Sequence, residues 1–183
     1  MIPSLQKEFS KINVQLDALF KLTSTVTETQ FNYKPDPDQW SIGQIFQHLV
    51  NAETNTNIYL RKKILAGPNL KDSGMGTSFN FFLMKYIMIM GIKFKAPPIV
   101  TKNMEGPFSL EVQTDEWKRQ REDIRQFVAG LDKTTANKLL FKHGIGVYLN
   151  IHQMLKWMHI HVARHQTQIK GLMKSPRFPE IVA

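Results

Sequence analysis

The chain has 183 residues, enough for one domain with a sizeable core and too few for two of ordinary size. It contains no cysteine, which excludes disulfides, thiolate metal sites and a cysteine nucleophile, and its 42% hydrophobic and 21% charged residues are those of a soluble globular protein. The net charge of +9 invites anionic partners, but only Arg61-Lys62-Lys63 forms a cluster, and no zinc-finger, RNA-recognition or glycine-rich phosphate motif accompanies it, so a solvated basic surface is expected.

The N-terminal MIPSLQKEFSKI has no charged region followed by an apolar core and cleavage site, so a cytoplasmic location is expected. Leu5, Phe9, Ile12, Leu16 and Leu19 then recur at helical spacing and predict the first helix. After the turn-forming PDPDQ (35–39), Ser41 and Gln44 make a capping box, with Trp40 and Ile45 placed as a hydrophobic staple. Ile42, Ile45, Phe46, Leu49 and Ala52 run down one face of this second helix, and Gly67-Pro68 ends it.

The apolar stretch at 78–94 is broken by Asn80, Lys85 and Lys93, so it falls short of a membrane span, which needs about 20 apolar residues. It is expected to form an extra helix, or a subunit contact, within a long crossover between the second and third main helices. The third begins near Thr114-Asp115-Glu116, acidic where the helix dipole favours it, with Trp117, Ile124, Phe127, Val128 and Leu131 as its stripe. The fourth repeats the grammar of the second: Asn150 caps, Gln153 reciprocates, and Leu149 staples to Met154. Pro176 stops it. No strand pattern of comparable quality and no internal repeat is present, so the expectation is an all-α four-helix bundle occupying residues 1–183 as one domain.

Histidines on the fourth helix carry the chemical interest. His161 and His165 are four apart and share a face, with Gln168 continuing their row among Met158, Val162, Ile169 and Leu172. His152 and His159 form a separate outer row. On the second helix His48 sits on or beside the apolar stripe, with Asn51 and Asn55 on its own face as pocket-lining candidates. Three imidazoles converging in an apolar bundle are costly without partners, and a divalent metal resolves that cost. The other reading is two core-edge histidines bonded to backbone or water, with His48 elsewhere. Spacing alone leaves both open.

WSIGQIFQHLVNAE (40–53) and HGIGVYLNIHQMLKWMHIHVARHQTQI (143–169) resemble the second-helix and closing motifs of the DinB/YfiT-like superfamily, in the expected order and separation. The resemblance spans essentially the whole chain and is weakest at 68–112. It implies an up-down-down-up four-helix bundle and a metal, zinc or nickel, held by His48, His161 and His165. The superfamily contains thiol-dependent transferases and isomerases and proteins described as metal-dependent hydrolases. The implied function is therefore a metal-dependent enzyme that activates a low-molecular-weight thiol cosubstrate, or water, to attack a small-molecule electrophile. Residues 150–174 hold no carboxylate, which argues against a HExxH peptidase and leaves the activated water or thiol, not a side-chain base, as the reacting group. The alternative is a non-catalytic metal-binding module that forms a homodimer through a bundle face, with nucleic-acid binding ranked last.

Overall fold

The computed structural model describes residues 1–65, 70–90, 97–144 and 146–180. Helix α1 (Pro3–Thr23) buries Leu5, Phe9, Ile12, Leu16 and Leu19, the face its spacing predicts. The short α2 (Glu28–Asn32), opened by a capping box of Thr27 and Gln30, is too brief to show a periodic stripe. Helix α3 (Ile42–Leu65) starts as expected: the Ser41 N–H donates to Gln44 Oε1 at 3.0 Å, and the Gln44 N–H donates to Ser41 Oγ at 3.1 Å. The expected stop at Gly67-Pro68, and the part of the apolar stretch beyond Met90, lie outside the described residues.

Helix α4 (Met75–Ile89) is the extra crossover helix, and a 3-10 turn follows at Pro98–Val100. Helix α5 (Leu110–Ala129) begins earlier than the predicted Thr114. The cause is tertiary. Asn32 Oδ1 accepts from the Phe108 N–H at 2.7 Å and Glu28 Oε1 from the Leu110 N–H at 3.3 Å, so residues of α2 seat the chain one turn upstream. Gly43 permits that approach, since a Cβ there would lie 2.9 Å from the Phe108 ring.

After α6 (Lys133–Ala136) comes a hairpin that the sequence reading did not find, with β1 (Phe141–Lys142) antiparallel to β2 (Tyr148–Leu149) and Phe141 opposite Leu149. Two-residue strands carry no alternation to read. Helix α7 (Ile151–Met173) opens with the predicted capping box: Gln153 N–H to Asn150 Oδ1 at 2.9 Å, and Asn150 N–H to Gln153 Oε1 at 3.1 Å.

Contacts along the four long helices set their directions. Phe46 meets Trp117, Glu53 meets Arg121, and Arg61 lies over Phe127, so α3 and α5 run parallel. Arg121 Nη1 donates to the Ile12 carbonyl at 2.9 Å while Phe20 touches Trp117, so α1 runs opposite to α5. Leu5 shares a hydrophobic cluster with Ile151 and Met154, and Leu19 shares another with Val162 and Ile169, so α1 and α7 are parallel. The fold is therefore an all-α, up-down-down-up four-helix bundle, the one that the sequence implied.

The two clusters are separated by a polar belt. Where one ends and the other begins stand Glu53, Thr56 and Asn57 on α3, Arg121 on α5 and His161 on α7. Glu53 and Arg121 are a buried bidentate ion pair, with Nε to Oε2 at 2.9 Å.

Candidate metal centre

Helix α3 presents His48 one turn after its apolar start, and antiparallel α7 brings His161 and His165 opposite. The Nε2 atoms of His48 and His161 are 3.2 Å apart, and the ligand atoms of all three histidines lie within 4.8 Å of one another. Ring centroids are separated by 5.2 Å (48–161), 5.0 Å (48–165) and 4.8 Å (161–165). His48 and His165 are buried, and His161 is half-buried.

Hydrogen bonding fixes which nitrogen faces inward. His48 Nδ1 lies 3.3 Å from the Val100 carbonyl, and His165 Nδ1 lies 3.0 Å from Gln168 Oε1. A carbonyl oxygen only accepts, so each Nδ1 carries the proton and leaves Nε2 with a lone pair. Gln168, expected on this row, thus orients His165 from an exposed position. Asn51 Nδ2 donates to the Lys102 carbonyl at 2.7 Å and reaches Val100 O at 3.4 Å; Asn55 Nδ2 donates to Asn51 O at 2.7 Å and Ile99 O at 3.2 Å. Both amides tie the 98–102 segment onto α3, and Asn51 shares with His48 the carbonyl that orients the imidazole.

Two indoles wall the cluster. Trp40 lies 5.0 Å from the His48 ring and stacks on His165 at 6.5 Å and 15°; Trp157 stacks on His161 at 5.1 Å and 16°. In the sequence Trp40 belongs to the family-like motif and to the staple of α3, whereas Trp157 has no assigned role, although it is four before His161 on the same row. His143, from the hairpin loop, meets the Trp157 ring at 5.2 Å. Its approach depends on the return of the hairpin, which no local pattern announced. The outer-row His159 is exposed and His152 half-buried, away from the three.

Burial holds all these rings neutral. His161 is pushed well below the ordinary histidine value, by burial first and then by His165 and His48. His165 is pushed down to about 3 by burial and by His48, against the opposing Gln168 bond. His48 is lowered by burial, partly offset by Val100, and burial takes His143 down to about 4. A second proton is therefore disfavoured, whereas a cation needs neutral rings. The 3.2 Å separation also suits two nitrogens sharing one ion: at about 2.0–2.1 Å per bond and tetrahedral angles, ligands sit about 3.3 Å apart. The all-imidazole donor set fits a divalent transition-metal ion.

A helical bundle that brings three histidines together from two antiparallel helices could hold a divalent metal ion. The chain belongs to the DinB superfamily, whose family model matches residues 12–169, a span that contains all three histidines. No curated protein matches the chain.

Proposed function

We propose that this protein is a metal-dependent enzyme in which His48, His161 and His165 hold a divalent cation, zinc or nickel, that activates a low-molecular-weight thiol or water against a small electrophile. The observation that carries this reading is the pair of oriented imidazoles. Val100 and Gln168 occupy two Nδ1 atoms, which leaves the Nε2 atoms of His48 and His165 to the cluster, where the three ligand nitrogens lie within 4.8 Å of one another and His48 Nε2 meets His161 Nε2 at 3.2 Å. Three neutral ligands leave a bound divalent ion its full charge, which acidifies a thiol or water placed against it.

The surrounding residues suit that chemistry. Trp40 and Trp157 exclude water from two sides, which strengthens electrostatic interactions within. Arg164 contributes a small lowering of both His161 and His165 through its charge, while its Nη1 donates to the Met88 carbonyl at 3.3 Å. The nearby Glu53 is committed to Arg121, so it is not a free base. In the transferase reading the thiol sulfur forms the new bond to carbon, the leaving group departs with its electron pair, and the thiol proton passes to solvent. In the hydrolytic reading water takes the place of the thiol.

The test is turnover of zinc- and nickel-loaded protein against a panel of low-molecular-weight thiols and small alkyl and acyl electrophiles. Metal-dependent consumption of one pair, absent in His161→Ala, is the expected result. Silence across the panel with metal stoichiometrically bound would favour the non-catalytic module instead.

A further inference from the structure

Helix α4 is apolar over most of its surface, with Thr77, Ser78, Asn80 and Lys85 as its polar side chains. Its inner face, with Met84 and Met88, packs against the bundle and so is accounted for. The outer face is not. Phe79, Phe82, Leu83, Tyr86, Ile89 and Met90 are 48–67% exposed. At 100° per residue they fall within roughly 120° of arc, a single stripe running about 17 Å along the helix. Scattered exposed apolar residues are ordinary, but a continuous stripe of aromatic and aliphatic side chains marks a surface meant to be covered.

Charge indicates what covers it. Residues 73–104 contain four lysines and no aspartate or glutamate. On one flank of α4 a cavity of about 610 Å³ is lined by Lys63 and Lys71 together with Thr77 and Asn80. On the other, a groove of about 940 Å³ between α4, α7 and α1 sets Lys11, Lys85, Lys156 and Arg164 beside Phe82 and Ile89. The one carboxylate in that groove, Glu8, is paired with Lys11 at 3.0 Å. An apolar stripe with cations on both margins matches the boundary between acyl chains and anionic headgroups. A second copy on the same stripe would bring two molecules of net charge +9 together through their basic flanks. Among the described residues no helix is long and apolar enough to cross a membrane, so the contact is with the surface.

We propose that the outer stripe of α4 and its basic margins dock this protein on anionic membranes, with Phe82 and Ile89 entering the acyl boundary while Lys85 and Lys156 face lipid phosphates. The test uses the full-length protein and flotation with vesicles of phosphatidylcholine alone or mixed with phosphatidylglycerol. Wild type is expected to float with the anionic vesicles and not the neutral ones, and high salt to weaken the association. The double substitution Phe82→Asp/Ile89→Asp should reduce binding by about tenfold or more while helical signal and zinc uptake stay unchanged. Lys85→Glu/Lys156→Glu should lose the preference for anionic lipid. No flotation of wild type, or equal flotation with neutral vesicles, would overturn the proposal. So would a dimer in light scattering that the aspartate pair converts to monomer without vesicle binding, which would make a second copy the occupant.

Discussion

For single residues, what matters is which ring nitrogens face the cluster. Helical spacing separated His161 and His165 from His159 and His152, and the structure keeps the two rows apart. Replacing His48, His161 or His165 by alanine should therefore remove most metal uptake, because each change leaves only a weak two-ligand site. His159→Ala and His152→Ala should bind as wild type in a zinc titration. Equal losses from His159 and His161 would mean the facing is wrong. The walls were less legible than the ligands. Trp157 could have been found by extending the row of His161 one turn back, but an aromatic at helical spacing reads first as core. His143 could not have been found, because it arrives through a hairpin two residues wide.

The same buried rings make metal-free protein sensitive to acid. His165 and His143 have folded-state values near 3 and 4, below the unfolded value of about 6.5. As pH falls through 6.5 the unfolded chain takes up protons that the folded one refuses, so stability is complete above 6.5 and drains away toward pH 4. Each such histidine lowers stability progressively as pH falls across that window. Urea midpoints of metal-free protein should fall clearly between pH 7 and pH 5. A flat profile would show that the rings are not held neutral by burial.

At the scale of elements, α3 and α7 were legible because each announces itself with a capping box followed by an apolar stripe, and α1 because its stripe is long. The start of α5 was not, because the signals at Thr114-Asp115-Glu116 are local while the true start is set by Asn32 and Glu28 across the fold. Crossover and helix meet again at Asn51. Its amide holds Lys102 O at 2.7 Å and reaches Val100 O, the acceptor that orients His48. Asn51→Ala should leave the helices intact but lower zinc affinity by roughly tenfold, the usual effect of losing an orienting partner behind a ligand. Unchanged affinity would show that the Val100 carbonyl needs no help from Asn51.

At the scale of the whole molecule, the bundle is two apolar clusters joined through a polar belt. The helical stripes made the clusters readable in outline. The belt was hidden: Arg121 lies four residues after Trp117 on the buried face, where a sequence pattern offers no reason to seat a charge until Glu53 is known to meet it. The histidine cluster lies beside that belt and joins α3 to α7, so an ion there would stabilise the fold as well as supply chemistry. The most direct test of the account is anomalous diffraction from crystals grown with zinc, from protein purified without a metal-affinity column. One strong peak is expected about 2.0–2.1 Å from the Nε2 atoms of His48, His161 and His165. A map with no peak among the three rings, or a peak held by His152 or His159 instead, would contradict it.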